Sequence, residues 1–103
     1  MKSTKEFTMI KGSGNVFADL GFSPAESHNL LLRSRMLTAL SDHIEKQGWT
    51  QAEAAKRLKV SQPRISDLVR GKIGRSSMDT LVNMLTDAGL AVDVRIRTPR
   101  RAA

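Results

Sequence analysis

Cysteine is absent from the 103 residues, and so is tyrosine. The first absence removes disulfide frameworks and thiolate zinc sites. With only three Phe and one Trp, the chain lacks the aromatic platforms on which single-stranded nucleic acids stack. No apolar run approaches the roughly 20 residues that would span a bilayer. Met1 to Ile10 lack the apolar core and small-residue cleavage site of a secretory signal, so a cytoplasmic protein without membrane contact is expected. Catalytic constellations are missing too. Gly12-Ser13-Gly14 is not followed by the Lys-Ser/Thr of a phosphate loop, and no nucleophile elbow supports any Ser-His-Asp combination. His28 and His43 stand apart on one expected helix, with no carboxylate cluster beside them. Neither an enzyme nor a cofactor- or metal-dependent protein is expected.

What the chain does have is positive charge. Seventeen Lys and Arg against ten Asp and Glu give a formal +7. The excess is not spread evenly: through Thr50 there are six basic and five acidic residues, and beyond it eleven and five. Clustered Lys and Arg are the electrostatic footprint of a nucleic-acid binder. A solubilising surface would look the same by charge alone, so the pattern of residues has to decide.

Three segments are expected: an N-terminal arm with a short cap over 1–22, a helical domain over 23–90, and a strand with a basic tail over 91–103. In the first, Asn15 can cap a single turn carrying Val16, Phe17 and Leu20, with Gly21 as its stop. Pro24 to Gln47 reads as a long helix, opened by Ser23-Pro24 and ended by Gly48. Leu32, Met36, Ala39, Leu40 and Ile44 recur on it at three- and four-residue intervals, as one buried stripe does, with Arg33 and Arg35 off that stripe. Trp49 is placed to pack toward Ala54 just before the next helix starts. Ser76 or Ser77 caps a helix through Ala88, whose face is Met78, Leu81, Val82 and Leu85, and Gly89 ends it. Val92, Val94 and Ile96 then alternate with Asp93, Arg95 and Arg97, the period of a half-buried strand.

The stretch from Thr50 to Lys72 is the most specific. Thr50-Gln51-Ala52-Glu53 is a capping box in which Glu53 can reach back to Thr50. It opens a helix through Leu58, and Lys59-Val60-Ser61 link this to a second short helix ending near Arg70, with Gly71 as its left-handed stop. Two such short helices share a core only by crossing steeply. That crossing needs a small residue where they meet, Ala55, and inward apolar ones, Leu58, Val60, Ile65 and Leu68. Outward on the second helix remain Gln62, Pro63, Ser66 and Asp67, a short-chained polar face suited to a DNA groove. A residue before proline is pushed from the α region, so Gln62 is expected as the N-cap and Pro63 at the first helical position.

Thr50-Gln51-Ala52-Glu53, Ala55, Ser61-Gln62, Ile65, Leu68 and Gly71-Lys72 resemble the Cro/C1 (Xre) helix-turn-helix family of phage repressors and bacterial regulators. One departure is Lys59, where the family usually has Gly. Gly14-Asn15-Val16-Phe17-Ala18-Asp19-Leu20-Gly21-Phe22, with Gln62 to Leu68 and Gly71-Lys72-Ile73, narrows the likeness to a subfamily that includes HigA-type antitoxins. The resemblance implies a mainly α, lambda-repressor-like helical bundle with a helix-turn-helix and a short C-terminal strand. It also implies a homodimeric repressor of double-stranded operator DNA, with a RelE/HigB-like toxin as partner; a stand-alone Xre regulator and a protein-binding adaptor are the alternatives. By resemblance, Gln51 meets a phosphate and Gln62 a base edge. Pro63 can pack on a thymine methyl, and Ser61, Ser66 and Asp67 complete the groove-facing set. Arg64, Arg70, Lys72 and Arg75 suit phosphates, which fix register without carrying sequence.

Overall fold

The computed structural model describes residues 16–98. Among these, five helices and one 3₁₀ turn follow in order. They are α1 (Val16–Asp19), α2 (Pro24–Gln47), α3 (Gln51–Leu58), α4 (Gln62–Val69), the turn (Ile73–Arg75) and α5 (Met78–Asp87). The arm with Phe7, Met9 and Ile10, and the expected Asn15 cap, lie outside the described residues.

Local chemistry sets the boundaries. Ser23, Thr50, Ser61 and Ser77 all have extended backbones, and each hydroxyl accepts the N–H three residues on, satisfying a donor the helix start leaves orphaned. The far ends repeat one device. At Gly48 the N–H donates to the Glu45 carbonyl while the Trp49 N–H donates to that of Ile44. The same crossed pair recurs at Gly71 with Lys72 and at Gly89 with Leu90. All three glycines have positive φ, as this helix stop requires. α3 ends likewise on a left-handed residue, but there it is Lys59, φ 61°.

α2 is the spine: α1 packs on its N-terminal part, and α4, the turn and α5 lie along it. The core joins Leu37, Leu40 and Ile44 of α2 to Ala54, Ala55 and Leu58 of α3, Ile65 and Leu68 of α4, and Leu81, Met84 and Leu85 of α5. Met36, Trp49, Val60, Ala88 and Leu90 pack partly buried around it. Two expectations need correction here. The buried face of α2 runs through Ser27, Leu31, Leu37, Leu40 and Ile44, whereas Leu32 is 38% exposed and Ala39 is exposed. Leu30-Leu31-Leu32 and Met36-Leu37 offer two stripes of the same period about 100° apart, and tertiary packing takes the second.

The other correction concerns the tail. Residues 91–98 form no strand, and Val94 and Ile96 are 80% and 91% exposed. A strand exists only as part of a hydrogen-bonded ladder, and the single chain provides no ladder partner among the described residues.

Candidate nucleic-acid interface

α3 and α4 pack on one another, and Ala55 is buried with Leu58, Ile65 and Leu68 in their shared core. The expected inward set is therefore in place, with Val60 half-buried beside it. This crossing leaves the first turn of α4 projecting. Ser61, Gln62 and Pro63 are all exposed. Ser61, not Gln62, is the N-cap: its Oγ accepts from the Arg64 N–H at 3.3 Å. Gln62 and Pro63 thus occupy the first and second helical positions, one place later than expected. A proline at the second position still removes only an N–H that has no helical partner.

At the start of α3, Thr50 Oγ1 accepts from the Glu53 N–H at 3.0 Å. The reciprocal half of the expected capping box is not made. Glu53 Oε2 is taken instead by Arg57, whose Nη2 lies 3.0 Å away and whose guanidinium carbon sits 4.9 Å from the Trp49 ring centroid. Trp49 is half-buried, with His43 edge-on at 5.5 Å, so both side chains belong to the boundary of the core. Gln51 is exposed at the first position of α3.

Beyond α4 the chain makes a basic loop from Arg70 to Ser76, and its backbone is anchored from two sides. Arg33 of α2, oriented by a 2.7 Å bond from its Nε to Asn29 Oδ1, donates through Nη1 to the carbonyls of Ile73 (3.3 Å) and Ser76 (3.1 Å). Arg64 of α4 donates through Nη1 to the Arg75 carbonyl at 2.9 Å. Two arginines thereby hold three loop carbonyls, with Arg70 and Arg75 exposed and Lys72 half-exposed. Asp67 faces this loop, its two oxygens 3.9 Å from Lys72 Nζ and 3.6 Å from Arg75 Nη1. Ser66 is half-buried on the same helix.

The structure thus gathers Ser61 to Asp67 and Arg70 to Arg75 along one helix and the loop that follows it, with Gln51 on the neighbouring helix. Arg33 had no sequence signal, since its partners are backbone carbonyls forty or more residues away. Two short helices crossing at a small residue, the second with a projecting polar N-terminal turn, is helix-turn-helix geometry. Residues 16–97 match a family described as a helix-turn-helix domain. The chain belongs to this family. No curated protein matches it. Helix-turn-helix membership makes the chain a DNA-binding regulator, in line with its Xre-like motif. Among the described residues no helix of this helix-turn-helix protein is long and apolar enough to cross a membrane.

Proposed function

We propose that this protein is a sequence-specific repressor that binds double-stranded operator DNA as a homodimer and is the antitoxin of a toxin–antitoxin module controlling its own operon. The observation that carries the DNA reading is the exposed first turn of α4 beside the anchored basic loop. In this reading α4 enters the major groove. Gln62 pairs with a base edge, Pro63 and Ser66 line the contact, and Gln51, Ser61, Arg64, Arg70, Lys72 and Arg75 meet the backbone on either side. The antitoxin part rests on the likeness of residues 14–22, 62–68 and 71–73 to HigA-type proteins. A neighbouring reading frame for a small basic RelE-like protein supports it, and its absence favours a stand-alone Xre regulator.

Gln62→Ala tests the reading directly. Removing one base-edge contact weakens operator binding by about 1–3 kcal/mol and relaxes preference at one base pair. Titration of the full chain against single-base variants of the DNA upstream of its own gene measures both effects. Unchanged affinity and unchanged preference would sink the assignment of α4 as the recognition helix.

A further inference from the structure

Asp67 is the one acidic side chain within the otherwise basic stretch from Gln62 to Arg75. Its position makes it a poor base reader, because both carboxylate oxygens face cations of its own chain. Neither separation is a short hydrogen bond: at 3.9 and 3.6 Å the two cations are attracted but not locked. With side chains 25%, 40% and 63% exposed for Asp67, Lys72 and Arg75, such pairs exchange readily for another anion.

The carboxylate is also dispensable for the shape of the loop. The Lys72 N–H is bound to the Asp67 backbone carbonyl at 3.0 Å. Arg64 holds the Arg75 carbonyl, and Arg33 holds those of Ile73 and Ser76. What remains for the Asp67 side chain is its charge.

Building on the duplex-binding reading, we infer that the Asp67 carboxylate is an internal counter-anion, occupying beside Lys72 and Arg75 the place a DNA phosphate takes in the complex. Binding redirects both cations to the phosphate and leaves the carboxylate next to it, unpaired and repelled. Asp67 therefore restrains the sequence-independent part of affinity, which grows with the number of phosphates neutralised, and does so alike for every sequence.

The test measures binding of the full-length wild type, Asp67→Asn and Asp67→Glu by fluorescence anisotropy. The probes are a random-sequence duplex and the duplex upstream of the chain's own gene, over a salt series around 0.1 M. Asp67→Asn should bind both duplexes more tightly by the same factor, about three- to tenfold, the scale of one surface charge. Its dependence of log affinity on log salt should steepen by up to roughly 1. Asp67→Glu, which keeps the charge, should stay near wild type. In a Lys72→Ala/Arg75→Ala background the gain from Asp67→Asn should shrink, because competition for the two cations is gone and only the repulsion between carboxylate and phosphate remains.

Loss of preference at a single base pair would overturn the inference in favour of direct readout. Equal affinities of wild type and Asp67→Asn, or weaker binding to both duplexes by a variant of unchanged thermal midpoint, would also overturn it. If neither wild type nor variant held any duplex at low salt, the DNA-binding reading itself would fall.

Discussion

Lys59 sits at φ 61° in the turn between α3 and α4, a conformation that costs an L-residue about 1–2 kcal/mol over the right-handed one. The other four described helices end on a glycine at positive φ, Gly21, Gly48, Gly71 and Gly89. Lys59→Gly should therefore stabilise the fold by about 0.5–1 kcal/mol, once glycine's larger loss of chain entropy is subtracted. That corresponds to a rise of roughly 2–8 °C in the thermal midpoint for a domain of this size. A lower midpoint in a calorimetric scan would mean that the Lys59 side chain contributes more than its backbone costs. Residue-scale features of this kind were legible in the sequence because they are local. Ser23 and Thr50 announce helix starts, the Ser76-Ser77 pair announces a third whose cap proves to be Ser77, and Gly48, Gly71 and Gly89 announce stops, through bonds spanning three to five residues. Where two local rules competed, the position slipped by one: Ser61 took the cap that the Gln62-Pro63 pair had suggested for Gln62.

At the scale of elements, the order of the helices and their bounds to within a residue or two could be read from the pattern. So could Leu40 and Ile44 on the buried face of α2, whereas Leu31 and Leu37 on that face could not. Adjacent leucines satisfy the helical period in two registers, and only the neighbours α4 and α5 choose between them. Arg33 belongs to the same class of hidden feature. It lies on the side of α2 that periodicity assigns to solvent, yet it ties α2 to the loop carrying Lys72 and Arg75. Arg33→Ala leaves the Ile73 and Ser76 carbonyls without these donors, which should cost about 1–3 kcal/mol of stability. Because the loop contacts backbone phosphates in the proposed complex, affinity for all duplexes should fall together while base preference is kept. Arg33→Lys loses the fixed fork of the guanidinium and should fall between the two. Thermal unfolding paired with titration against matched and mismatched duplexes checks both. A change in preference at one base pair would mean that Arg33 helps to set the angle of α4 rather than the loop alone.

On the scale of the whole molecule, one chain offers a single copy of the proposed recognition helix, and the expected feature that its described residues lack is the C-terminal strand. The alternation of Val92, Val94 and Ile96 with Asp93, Arg95 and Arg97 is strand-like, but pairing needs a second edge. Exposed apolar side chains at 36%, 80% and 91% beside unpaired backbone donors and acceptors are what a second copy of the same segment would cover. A two-fold pair closes that edge and duplicates α4. Two recognition helices can then reach successive major grooves about 34 Å apart, one turn of DNA. If residues 92–96 form this joint, Val94→Asp places an unpaired charge within it, and burying such a charge is strongly unfavourable. Sedimentation should then find the wild type as a dimer at micromolar concentration and Val94→Asp as a monomer. The helical signal in far-ultraviolet circular dichroism should be kept, because Val94 is exposed and no part of the helical core. A palindromic operator should be bound far more weakly by the monomer, since each half-site is then held alone and the second no longer adds to the first. A half-site duplex should distinguish the variant from wild type much less. An unchanged dimer, or a monomer that holds the palindrome as tightly as the wild type, would show that the second copy docks elsewhere or is not needed.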